Sequence, residues 1–301
     1  MKKFTYGGQA IIEGVMIRGR TCYTIAVRTP AGLITTKSFK LNSFLNGPMR
    51  KIPMLRGVLT LIEMLLIGTK SLSYSAEIAS KETDDTESSK ESTTDISLIF
   101  TMIFSLIFGI TLFFLIPLYI SSLFENFLDL HLISNIFEGI IRIIIFLLYL
   151  ILIGQIHDIK RVFMYHGAEH MAIHCYEKNE TLSVDNIKKY STQHPRCGTA
   201  FILVVLILSI IIFGMIGRDF SLTILIASRI FMIPIIAAIG YEIIRISGKF
   251  QNQPIIKILF KPSLELQKLT TKIPDAKQIE IAISSLNLAI EKDVNQKNQE
   301  S

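Results

Sequence analysis

Tryptophan is absent from the 301 residues. The indole anchors that often mark both faces of a bilayer are therefore missing, and Tyr, Lys and Arg must take their place. Charge is sparse: Asp, Glu, Lys and Arg make up 19% of the chain against 50% hydrophobic residues, and mean hydropathy is +0.46. That balance excludes disorder over most of the chain and is too apolar for an ordinary soluble enzyme of this length. Cysteine is scarce and odd in number, with Cys22, Cys175 and Cys197 alone, so a small disulfide scaffold is excluded. Only 17 glycines and 9 prolines are present, which excludes a collagen-like repeat. The N-terminus lacks the apolar core of a signal peptide, because Gly7, Gly8 and Glu13 follow soon after Lys2 and Lys3. Insertion is expected to use internal segments. A net charge of +6 is ordinary for a membrane protein with a basic cytoplasmic face, and no nucleic-acid partner is expected from it.

What the chain does have is four apolar runs, 96–120, 133–156, 199–217 and 222–246, each near the roughly 20 residues that a bilayer core requires. The first and third carry no charged residue. The expected fold is an α-helical membrane protein with four transmembrane helices in domain 96–246. Lys and Arg number 13 in 1–95, 6 in the loop 157–198 and 8 in the tail 247–301, but none in 121–132. This asymmetry predicts a multi-pass protein of the plasma membrane with both termini and the 157–198 loop in the cytoplasm. Within the spans, Glu138 and Arg142 lie four apart on one face, and Arg229 is expected at similar depth. An internal charge network that holds the helices together explains them more simply than an ion path.

Residues 1–54 read as a small β-rich cytoplasmic region. Ala10–Arg18 is a short apolar run flanked by glycines, and the stretches 23–28 and 33–39 are separated by Thr29-Pro30-Ala31-Gly32. Residues 55–80 are expected to form an interfacial or re-entrant helix, too short in its apolar part to span. The acidic Ser/Thr-rich stretch 81–95 reads as a mobile linker. In the tail 247–301, Asp275 caps an expected amphipathic helix with Ile279, Ile283, Leu286 and Ile290 at helical spacing.

Four of the six histidines fall within 29 residues between spans two and three: His166, His170, His174 and His194. His166-Gly167-Ala168-Glu169-His170 is H-x-x-E-H, the inverted zincin pattern. Residues four apart share a helix face, so both imidazoles can reach one ion. Glu169 can take a proton from water or orient a ligand. His174 and Glu177 continue the stripe, and Glu13 in the N-terminal motif is a possible further ligand or base. Downstream, His194-Pro195-Arg196-Cys197-Gly198 brings a nitrogen and a thiol around a turn. His166, His170, His194 and Cys197 together would make an N₃S set suited to zinc. Span two has no proline and is expected to run on through Gly154 and Gly167 to Glu177. Three readings remain open: surface polar residues, a structural zinc closed by four ligands, and a catalytic metal with Cys197 outside the ligand set.

Gly7-Gly8-Gln9-Ala10 running into Glu13-Gly14-Val15-Met16-Ile17-Arg18-Gly19, then Tyr165-His166-Gly167-Ala168-Glu169-His170 and His194-Pro195-Arg196-Cys197-Gly198-Thr199, resemble the YqhQ-like family of bacterial integral membrane proteins. The tail Leu266-Gln267-Lys268-Leu269-Thr270-Thr271 with Pro274-Asp275 is similar to it too. The resemblance spans nearly the whole chain and implies a domain of unknown function whose members are described as predicted metal-dependent enzymes. It also draws attention to Gln9, Glu13 and Arg18.

The leading expectation is a zinc-dependent hydrolase acting at the cytoplasmic membrane surface on a membrane-associated substrate, with Glu169 as general base and Arg196 steadying an oxyanion or phosphate. The alternative is a non-catalytic interaction or scaffold protein whose metal is structural. A transporter is the third reading, disfavoured because no Gly/Pro-broken spans recur in matching halves.

Overall fold

The computed structural model describes residues 4–41, 48–80, 91–124, 131–216, 220–250 and 253–300. Four helical stretches in it are long and apolar enough to cross a membrane. The first is composite. Helix α2 (Glu91–Ile110) passes through a π-helical turn, Thr111–Leu115, into α3 (Ile116–Leu123). The others follow α1 (Leu55–Ser80): α4 (His131–Ile153), α7 (Gly198–Met215) and α8 (Leu222–Lys249). These are the helices expected from the four apolar runs. Residues 81–90 of the acidic stretch lie outside the described residues, as do 125–130 of the connection 121–132 and Arg218. The end of that stretch, from Glu91 on, opens α2.

The fully buried charges of the described span residues gather around Glu138. Arg142 donates through Nη2 to Glu138 Oε1 at 2.6 Å, and Arg229 donates through Nη2 to Glu138 Oε2 at 2.7 Å. Arg142 also donates to Ser209 Oγ at 2.7 Å and to the Phe113 carbonyl at 2.9 Å. That carbonyl belongs to the π turn, where the regular helix ladder is interrupted. Both guanidiniums lie over the Phe213 ring. One carboxylate thus joins α4 to α8, and Arg142 adds α7 and the π turn.

The N-terminal region is a four-stranded antiparallel meander, β1 (Gly7–Ile11), β2 (Gly14–Arg18), β3 (Cys22–Arg28) and β4 (Ile34–Lys40), in that spatial order. The single run expected at Ala10–Arg18 is in fact a hairpin: Ile11 pairs with Gly14, and Glu13 turns the chain with φ +50°. No Gly or Asn marks this turn, so its sequence reads as continuous strand. Both faces of the sheet are covered, which is why β3 reads as an unbroken apolar stretch. Ile11, Met16, Tyr23, Ile25 and Val27 pack on α1. Their alternates Ala10, Val15, Ile17 and Ala26 share a core with two other parts of the chain.

Those parts are α5 (His157–Glu177), between spans two and three, and α10 (Ala276–Glu300), after span four. Tyr165, Ala168 and Ala172 of α5 and Ile279, Ala282, Leu286 and Ala289 of α10 complete the core. The Asp275 carboxylate caps α10 by accepting from Gln278 N at 2.8 Å, and Asp275 N donates to Gln278 Oε1 at 2.9 Å. Segments before, between and after the spans therefore fold together at one end of the bundle. One expectation is corrected here. Span two does not run on to Glu177: α4 ends at Ile153, Gly154 to Ile156 turn the chain, and α5 starts afresh at His157. The stretch 166–177 is helical as its histidine spacing predicts, and a short α6 (Val184–Ile187) interrupts the loop that follows. Helix α9 (Pro254–Thr270) lies between α8 and α10.

Candidate metal centre

His166, His170 and His174 of α5 stand one turn apart on one face. Across that face runs the 192–197 segment, which ends where Cys197 caps α7, its Sγ accepting from Thr199 Oγ1 at 3.2 Å. Two groups of side chains able to hold a metal ion result, each with its ligand atoms within 4.8 Å of one another: His166, His170 and Cys197; and His174, Glu177 and His194. The expected N₃S set is thus divided, because His194 sits with the second group.

Backbone carbonyls fix the rings. His166 donates through Nδ1 to Thr270 O at 2.9 Å, and His170 through Nδ1 to Thr192 O at 2.7 Å. This leaves Nε2 of each ring with its lone pair, and His166 Nε2 lies 3.3 Å from Cys197 Sγ. His194 is arranged the other way. Its Nδ1 accepts from Arg196 N at 3.2 Å, so the proton sits on Nε2, which is buried without a hydrogen-bond partner. The backbone of His194 is held on both sides by the buried Gln267 of α9: His194 N donates to Oε1 at 2.8 Å, and Nε2 donates to His194 O at 3.0 Å. Sequence reasoning singled out no role for Gln267; its signal was a run of polar residues at helical spacing, Ser263, Gln267, Thr270 and Thr271, all of them buried.

Two glycines allow the close approaches. A side chain on Gly8 would meet Met16 O at 2.1 Å and Glu169 Oε1 at 3.2 Å, so β1 can lie directly against the Glu169 carboxylate. A Cβ on Gly167 would stand 2.1 Å from Lys272 O. Glycine there lets the 270–272 segment run along α5, with Lys272 N donating to Phe163 O at 2.9 Å. Gly167→Ala should push this segment and its Thr270 carbonyl off His166, costing about 1–3 kcal/mol as overpacking does. The check is thermal unfolding of the purified variant; an unchanged midpoint would remove the argument.

Burial sets the charges. Glu169 is buried, which pushes its carboxyl up to about 7, against the opposing influence of His166 and a hydrogen bond from the Gly8 backbone; its Oε2 has no partner. Burial lowers His170 and His174 and drives His194 down to about 4, so these imidazoles are neutral near pH 7. Burial alone would raise Cys197, but the neighbouring His170 ring and hydrogen bonds from Thr199 outweigh it and lower the thiol. Glu169, His166, His170, Cys197, His194 and Arg196 line a cavity of about 60 Å³. Arg196 pairs with Glu177 Oε1.

Glu13 stands apart from both groups. Its carboxylate accepts from Arg161 Nε and Nη2, both at 2.5 Å, and from Tyr165 Oη at 3.1 Å. The Arg161 hydrogen bonds hold its pKa below the ordinary carboxylate range. A lowered native pKa means stability that is present above the unfolded value and lost as pH falls through the native one. Glu13→Gln should therefore flatten the acid limb of the stability–pH curve and leave the neutral-to-basic limb shaped as in wild type, measured by thermal melts across pH. Of the other N-terminal polar residues, Gln9 packs on Gly68 of α1 and Arg18 donates to Glu63 Oε2 at 3.1 Å.

The Bacillus subtilis (strain 168) uncharacterized protein YqhQ is 35% identical over 292 residues, covering 94% of this chain and 91% of YqhQ. No solved structure matches the chain. A family model described as protein of unknown function (DUF1385) matches residues 52–292, a span that takes in all four apolar helices, both ligand groups and most of α10, and the chain belongs to that family.

Proposed function

We propose that the protein is a membrane-embedded, zinc-dependent hydrolase working at the cytoplasmic face of a bacterial plasma membrane. The observation that carries this reading is a buried carboxylate oxygen without a partner, Glu169 Oε2, on a residue that lines the same small cavity as the three convergent ligands. The residues fit a zinc ion. Two nitrogens and a thiolate suit zinc, and ligands at about 2.1 and 2.3 Å on a tetrahedral ion lie roughly 3.6 Å apart, close to the 3.3 Å between His166 Nε2 and Cys197 Sγ. With His194 in the other group, the set has three protein ligands, the number that catalytic zinc sites keep. Zinc bound there would supply Lewis acidity and make water nucleophilic at neutral pH.

The chain's own groups do the rest. Thr270 and Thr192 carbonyls orient the two rings. Glu169 is held by the Gly8 backbone, and its free oxygen takes the proton of an attacking water and returns it to the leaving group. Arg196 lines both this cavity and a larger neighbouring one, where it can steady negative charge. The shared core of the sheet, α5 and α10 supports a site beside the ends of spans two, three and four, and the Lys/Arg count supports a cytoplasmic position for that end.

A structural zinc is the second reading, favoured by the way Cys197, His166 and His170 tie the start of α7, α5 and two backbone segments together. Metal content of the purified protein separates the readings. His166→Ala with His170→Ala should abolish stoichiometric zinc, and retention of zinc by that double variant refutes the ligand set. With Glu169→Gln, zinc kept and cellular function lost supports catalysis; zinc and function both kept supports the structural role.

A further inference from the structure

Beside the small cavity lies a groove of about 460 Å³ between the end of α8 and α9, inside the roughly 300–1,000 Å³ range of small-molecule sites. Its walls are apolar, from Ile244, Ile256, Phe260 and Leu264. Its polar end holds His194, Arg196 and Lys257, with His174 and Glu177. His194 and Arg196 line both cavities, so the two meet there.

Three observations say what the polar end accepts. His194 is 4% exposed and, with Nδ1 occupied by the Arg196 amide, presents an unpartnered Nε2–H. A buried donor without an acceptor keeps its desolvation cost uncompensated, so an oxygen supplied by a ligand is favoured at this position. Glu177 lies 3.5 Å from that nitrogen, but its charge is cancelled by Arg196. Lys257 then leaves the groove one positive charge in excess. Next to the groove, α9 turns Ile255, Ile258 and Leu259 outward at 76%, 71% and 67% exposure, as a helix seated in lipid does.

We propose that this groove binds a bilayer lipid bearing a phosphate head. The acyl chain lies along Ile244, Ile256, Phe260 and Leu264, and the phosphate oxygens take the His194 Nε2–H and the Lys257 ammonium. The lipid enters past the exposed side of α9. A head seated on His194 stands next to His170, whose ring centroid is 5.6 Å from that of His194. This assignment rests on the hydrolase reading only for what happens after binding; binding itself needs no metal.

The test uses full-length protein in a neutral detergent with chelator present. The probes are dioctanoyl phosphatidic acid, dioctanoylglycerol and inorganic phosphate. Phosphatidic acid should bind at least about tenfold more tightly than either of the others, the scale of one charge-assisted hydrogen bond. Lys257→Glu, His194→Phe and Phe260→Ala should each weaken it by a similar factor. Lys257 and Phe260 sit at the groove and not in the buried site, so they keep the test sound should His194→Phe fail to fold. Equal binding of dioctanoylglycerol would reduce the site to an apolar groove and overturn the proposal. Equal binding of inorganic phosphate, or indifference to Lys257→Glu and Phe260→Ala, would overturn it as well. Lipid binding by a protein that takes up no zinc even when zinc is supplied sinks the hydrolase and leaves this site standing. Zinc bound with no lipid binding does the reverse.

Discussion

Glu138→Gln should destabilise the protein by about 3–5 kcal/mol, the cost of removing one partner from a buried ionic group. The substitution keeps the size and one hydrogen-bonding oxygen but leaves two guanidiniums, Arg142 and Arg229, facing each other at 1% and 0% exposure. Neither can move to water without pulling apart α4 and α8. Arg142 would keep only Ser209 and the Phe113 carbonyl, both neutral. Removing charge as a whole is milder, because apolar replacement of a complete buried network is often neutral. The triple variant Glu138→Leu, Arg142→Met, Arg229→Met should therefore recover much of the loss. Thermal unfolding in detergent measures both. A single variant as stable as wild type would show that the carboxylate does not hold the bundle together.

Glu169→Gln should cut turnover by about 10²–10⁴-fold, the usual worth of a positioned general base. The amide still accepts from the Gly8 backbone and fills the same space, so the fold and the ligand trio should survive. What is lost is the ability of Oε2 to receive a proton. In a cell that depends on this chain, the variant should behave like a deletion while the purified protein retains zinc at the wild-type ratio. Full cellular function in the variant would strip Glu169 of the role.

Much of the site was written in local order. H-x-x-E-H needs only helical spacing to align two rings, and Cys197 arrives by standing at the start of an apolar span. The Glu138–Arg142 pair follows from spacing as well. What could not be read locally depends on partners distant in sequence. Whether His194 is a ligand or a donor turns on which ring nitrogen the Arg196 amide takes, and its position depends on Gln267. Glu13 was weighed as a ligand because its motif is polar and glycine-flanked; Arg161, far along the chain, is what it meets. The hairpin inside Ala10–Arg18 was hidden because Glu13 adopts a left-handed conformation without the residue types that advertise one. The break at Gly154 escaped notice because one glycine in an apolar run is a weak stop.

The common core of sheet, α5 and α10 has a bearing on biosynthesis. When a ribosome has made the ligand-bearing stretch, the glutamine that grips His194 lies 73 residues ahead, and α10 comes later still. A nascent chain at that stage can carry every ligand and yet lack the scaffold that aligns them. On the metal-binding reading, acquisition would be a late event, after the last span has entered the bilayer, and premature termination before α9 should yield inserted but metal-free protein.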